Sequence, residues 1–133
     1  MSDIKLKYKI IDYLENKCSN SKLSRKTLGT YIRALHIGGP LNIWLAMLYI
    51  SKSVSIFFII ILFILLFFFY IFDGCILTML ERKLCSDTFT FIDPFLEHNS
   101  LELNTKNRYN MSIKVAIIYI LITLIIFSYR FLL

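Results

Sequence analysis

The amino-acid sequence predicts an all-α membrane protein, and three observations predict it. Residues 53–72, SVSIFFIIILFILLFFFYIF, hold no charge, no Gly and no Pro. At about 1.5 Å of rise per residue, a helix of that length matches the roughly 30 Å hydrocarbon core of a bilayer. A helix that is apolar on every side needs an apolar surround, and the rest of a 133-residue chain is too short to wrap it. A second long apolar stretch, with charge only at Lys114 and Arg130, occupies 112–133, SIKVAIIYILITLIIFSYRFLL. The third observation is the placement of charge. Of the formal net charge of +6, residues 1–33 hold eight Lys/Arg against three acids, whereas 73–114 hold five against six. About three transmembrane helices are expected, with two as the alternative, after an amphipathic basic N-terminal segment.

The N-terminal arm, 1–33, opens on SDIKLKYKIIDYLENK, which lacks the short apolar region of a cleavable signal, so the spans themselves are expected to target the chain. Within it, IKLKYKI over 4–10 alternates apolar and basic residues, a strand-like period with no partner strand in sight. That leaves an interfacial or partner-docked segment or a solvated basic tail. Basic residues beside anionic headgroups gain about 1 kcal/mol each. CSNSKLS over 18–24 reads as a polar linker, and Ser24 can cap a helix that follows. Leu28, Tyr31, Ile32 and Leu35 then fall at helical spacing, with Arg25, Lys26 and Arg33 off that stripe.

Residues 34–50, ALHIGGPLNIWLAMLYI, contain no Lys, Arg, Asp or Glu and are just long enough to cross. They also contain His36, Gly38-Gly39-Pro40 and Asn42, so a span with a broken or kinked first turn is expected. An interfacial helix that never crosses is the alternative. Ser51-Lys52-Ser53 makes a turn into the main helix, 53–72. With three spans, 1–33 and 73–111 share a side and concentrate the Lys/Arg there, which places the N-terminus on the cytoplasmic side.

The loop 73–111 is expected to hold short interfacial helices. Ile76, Leu77, Leu80 and Leu84 recur at helical spacing with Glu81, Arg82 and Lys83 between them. Asp93-Pro94 reads as an N-cap followed by Pro at the first helical position of PFLEHNSLEL, and NTKNRYN reads as a polar loop. In the last span, 112–133, Lys114 and Arg130 can snorkel to the two interfaces.

The most motif-like piece is Asp73-Gly74-Cys75-Ile76-Leu77-Thr78-Met79-Leu80-Glu81, where the main helix leaves the membrane. Gly74 can end that helix with a positive φ. Cys75, Thr78 and Glu81 are three apart and share one helix face. That face could bind a ligand or dock against His36, or it could be a satisfied polar turn pinning the short helix. His36, Cys75, Thr78 and Glu81 are therefore the candidate interaction or packing site. No catalytic, cofactor or metal residues are assigned. Cys18, Cys75 and Cys85 match no CxxC spacing and are expected to be plain thiols on the reducing side. His36 and His98 are too few for a haem or metal site within this chain. No Ser/His/Asp set, Gly-rich phosphate loop or zinc-protease motif occurs, and nucleic-acid binding would rest on charge alone. Asn110-Met111-Ser112 is a formal glycosylation sequon that abuts the last span.

The Cys-x-Leu-Thr-x-Leu-Glu pattern in CILTMLE resembles one in a bacterial family of small, functionally uncharacterised multi-pass membrane proteins. Small membrane proteins of large DNA viruses are similar in a Cys-Ile turn after an apolar span with a His near the preceding helix. The resemblance covers residues 31–84, and this chain has Ile76 where the bacterial pattern has Pro. It implies an architecture and no catalytic role.

Two functional expectations follow. The first is a non-enzymatic structural or assembly component, bound to membrane lipid and to other membrane or capsid proteins in a larger assembly, with no cofactor and no nucleic acid. The AT-rich bias toward Ile, Phe, Lys, Asn and Tyr, together with the resemblance, points to the membrane of a large DNA virus or a host internal membrane. The second is an accessory subunit of a membrane enzyme complex, such as an organellar respiratory complex, lining a lipid, quinone or cofactor pocket.

Overall fold

The computed structural model describes residues 2–133, with side chains from Lys5 onward. The described residues are all-helical, with no strand. Six helices follow in order: α1 (Ser2–Ser19), α2 (Arg25–Met47), α3 (Lys52–Ile71), α4 (Ile76–Cys85), α5 (Asp93–His98) and α6 (Thr105–Phe131). Two of them, α3 and α6, are long and apolar enough to cross a membrane. Only 6% of the most apolar stretch of α3 is buried, so this helix keeps its apolar surface outward on nearly every side.

The chain divides into two compact units. The first comprises residues 1–38 and 68–91. Here the strand-like alternation of 4–10 is overruled, because α1 is a continuous helix that satisfies its own backbone bonds without a partner strand. It docks on α4 rather than standing free. Lys83 Nζ lies 2.7 Å from Asp12 Oδ1 and 2.5 Å from Glu15 Oε2, and Arg25 also pairs with Glu15. Lys7 is buried, and its ammonium donates to the Phe72 carbonyl at 2.7 Å, one of the acceptors left open at the end of α3. Part of the arm's charge is thus spent inside the chain, while Lys5, Lys9 and Lys17 stay exposed.

Ser24 caps α2 as expected: its Oγ accepts from the Thr27 N–H at 3.1 Å and meets the Thr27 hydroxyl at 2.7 Å. The apolar stripe of this helix turns inward only in part: Leu28 and Ile32 are half-buried, Tyr31 and Leu35 are 60% and 70% exposed, and Gly29, Arg33 and His36 share the inward side. Gly29 is what lets α4 approach. A Cβ built there would stand 2.9 Å from Leu84 Cβ and 3.1 Å from the Cys85 backbone N.

The second unit comprises residues 39–67 and 92–133. The chain stays helical through Gly38, Gly39 and Pro40, so no break interrupts α2 where one was expected. Polar side chains join its second half to α6. The Tyr119 hydroxyl donates to the Pro40 carbonyl at 2.8 Å, and Trp44 Nε1 donates to Thr123 Oγ1 at 2.9 Å. Trp44 also stacks on Tyr119 with ring centroids 4.8 Å apart, and Arg130 donates to the Met47 carbonyl.

Two further expectations shift. Asp93 is no N-cap: it lies within α5, and its carboxylate takes a two-pronged bond from Arg108 at 2.8 and 2.9 Å. The helix stops at His98, so the LEL of 101–103 lies outside it. NTKNRYN is no loop but a cap and first turns, since Asn104 Oδ1 accepts from the Asn107 N–H at 2.8 Å and starts α6 at Thr105.

Candidate functional site

The site lies in the first unit and is built by the way α3 ends. The Gly74 N–H reaches back to the Phe69 carbonyl at 3.0 Å, the six-to-one bond of a Schellman turn. The left-handed residue of that turn is Asp73, at φ 49°, rather than Gly74, which takes φ 131°. Gly74 at that angle is where a residue with a Cβ would be strained. The chain then reverses into extended Cys75, the N-cap of α4.

The structure brings His36, Cys75, Thr78 and Glu81 together. Cys75 Sγ lies 3.6 Å from His36 Nε2, and His36 Nδ1 lies 3.2 Å from Glu81 Oε2. Thr78, one turn along α4, adds a smaller interaction that favours the thiolate. The His36 ring meets the edge of Phe91 at a centroid distance of 5.6 Å. Glu81 is 1% exposed, a buried carboxylate that is costly unless partnered. With the Glu81 carboxylate at Nδ1 and the Cys75 thiol at Nε2, the ring bridges two acidic groups and is placed to hold the thiol proton.

Burial alone would push the Cys75 thiol up, but the His36 and Thr78 interactions outweigh it, and its pKa lies below the ordinary cysteine value. Cys75 as a residue is half-buried. All three cysteines are free, and Cys85 lies instead against Gly29. His98 sits exposed at the end of α5 and takes no part. Among the described residues no group of three or more His, Cys, Asp and Glu could hold a metal ion.

Two residues of this cluster escaped the sequence reading. Arg33 stands one turn before His36, with Nε 3.7 Å from Glu81 Oε1, too long for a hydrogen bond but close enough to offset charge. Its terminal nitrogens clamp Asp87 at 2.8 and 3.0 Å, which holds the Asp87 carboxyl below its usual range. The signal was present: Arg33 and His36 are three apart, and Glu81 falls on the same helical stripe as Leu77, Leu80 and Leu84.

Chemically, the row is a thiol, an imidazole and a buried carboxylate in hydrogen-bonding order, the arrangement by which a base activates a nucleophile. No protein-family model, no curated protein and no solved structure matches the chain.

Proposed function

We propose that the chain is an integral membrane protein that crosses three times, through 34–50, 53–72 and 112–133, with its N-terminus on the cytoplasmic side. It works there as a non-enzymatic structural component of a larger assembly of membrane or capsid proteins. The AT-rich composition supports placing it in the membrane of a large DNA virus or a host internal membrane.

The observation that carries the topology is Lys83 of α4 on Asp12 and Glu15 of α1. Ion pairs between these helices require residues before α2 and after α3 to share one side. That holds if α2 and α3 both cross, and fails if α3 crosses alone. Exposed apolar residues along α3, among them Phe57, Phe63, Leu65 and Phe67, support lipid or a neighbouring chain as its surround. Membrane-impermeant thiol labelling in sealed vesicles tests this. Cys18, Cys75 and Cys85 should share one side, with detergent controls to separate sidedness from burial. Labelling that places Cys18 opposite the other two would sink the three-span topology.

A second reading, an accessory subunit of a membrane enzyme complex, is favoured by the thiol–imidazole–carboxylate row, which a purely anchoring protein has no need of. Gentle detergent extraction separates the two. A colourless particle with scaffold or capsid proteins supports assembly. A particle with redox subunits and a haem or flavin spectrum supports the accessory role.

A further inference from the structure

We propose that Cys75 is an acyl-acceptor thiol, which His36 deprotonates for attack on a long-chain acyl thioester such as a fatty acyl-coenzyme A. The inference rests on the reading of α3 as a membrane span, and goes beyond it by assigning a modification site.

Four observations carry it. The sulfur, His36 Nε2 and Nδ1, and Glu81 Oε2 stand in series at 3.6 and 3.2 Å. The carboxylate is sealed in and charge-balanced by Arg33, so it holds the ring in one orientation. Cys75 is half-buried rather than sealed in, unlike Glu81. Finally, Cys75 follows the end of α3 at Ile71 by a single turn, which places it where acyl chains meet headgroups. Ile71 and Leu77, on either side of it in sequence, are both exposed apolar residues along which a fatty chain can lie.

The step balances without an oxidant. His36 Nε2 takes the thiol proton, and the thiolate attacks the carbonyl carbon of the donor. A new C–S bond forms to Cys75 as the donor's C–S bond breaks. The leaving coenzyme A thiolate collects the proton from the imidazolium. His36 touches the reacting sulfur and is the base, whereas Glu81 acts through His36 and is a positioning residue.

The test uses the full-length protein in phosphatidylcholine vesicles with alkyne-tagged palmitoyl-coenzyme A, read after treatment with and without hydroxylamine. Wild type should take up one hydroxylamine-labile acyl group at Cys75, and Cys75→Ser should take up none. Cys18→Ser/Cys85→Ser should label like wild type. His36→Gln should slow labelling about 100-fold. Glu81→Gln should slow it and displace its rise with pH, which a merely structural role would leave in place. Wild type unfolded in SDS is the control that needs no variant. Labelling of Cys75 no faster than Cys18, or no faster than in the unfolded chain, overturns the proposal. Absent labelling in protein that resists carbonate extraction refutes the acyl acceptor and leaves the membrane reading standing. Protein released by carbonate refutes both.

Discussion

Gly29→Ala should destabilise the protein, although helix propensity says the reverse. A Cβ at Gly29 would meet Cys85 Sγ at 2.6 Å, Leu84 Cβ at 2.9 Å and the Cys85 backbone N at 3.1 Å. The sulfur can rotate away. The other two atoms belong to the α4 main chain or the root of a side chain and move only if the helices part. Replacing an interior glycine by alanine gains about 1 kcal/mol of propensity, and overpacking a close contact costs about 1–3 kcal/mol. The balance is a net loss of about 1 kcal/mol. Gly39 in the same helix is the control, since a Cβ there meets nothing within 4 Å. Gly39→Ala should keep the whole propensity gain of about 1 kcal/mol. One substitution at two positions of one helix therefore has opposite signs. Thermal unfolding in detergent, followed by circular dichroism, should show the midpoint falling for Gly29→Ala and rising for Gly39→Ala, each by about 2–8 °C. A rise in both would show that α4 does not press on α2 at Gly29. The Gly29 variant should also slow alkylation of Cys75, because parting the helices draws His36 from Glu81.

Three other perturbations follow from the same geometry. Arg108→Ala removes both donors from the Asp93 carboxylate and should cost about 2 kcal/mol, with protease sensitivity rising across residues 86–104. Lowering pH should loosen α1 from α4. The hydrogen bond from Lys83 holds the Glu15 carboxyl below its usual 4.5, so its contribution is complete above that value and lost as pH falls through the depressed one; amide exchange of α1 at pH 3 and 7, and in high salt, reads it. Thr123→Val removes the acceptor for the only tryptophan and should cost about 1 kcal/mol while shifting Trp44 emission.

The all-helical class and the two most apolar helices were legible in the sequence because length and composition decide them. Caps were legible where one side chain suffices, as at Ser24, and missed where a run of polar residues looked like loop, as at Asn104. The alternation in the arm is a different case. Alternation over seven residues is a strand signal only if a neighbouring strand exists to complete it. Here Lys7 finds the open carbonyl of Phe72 and Asp12 finds Lys83, contacts 65 and 71 residues apart that no local pattern encodes.

The candidate site shows the same division at finer scale. The spacing of Cys75, Thr78 and Glu81 put them on one face, and His36 was the neighbour considered for it. What the spacing could not rank was the run Glu81-Arg82-Lys83, three charges of which only the first is fully buried. Its burial follows from the stripe of Leu80 and Leu84, 4% and 1% exposed, which carries Glu81 inward with them. A carboxylate so placed needs positive or hydrogen-bonding partners, or it would unfold the contact. Those partners come from one turn of α2, Arg33 and His36, and Gly29 on the preceding turns of that face lets the two helices meet. Glu81 therefore ties helix packing to the state of the thiol. Glu81→Leu should retain or improve packing while freeing His36 from its orientation, so that stability is kept and Cys75 loses its enhanced reactivity toward iodoacetamide at neutral pH. If both fall together, the carboxylate serves packing alone.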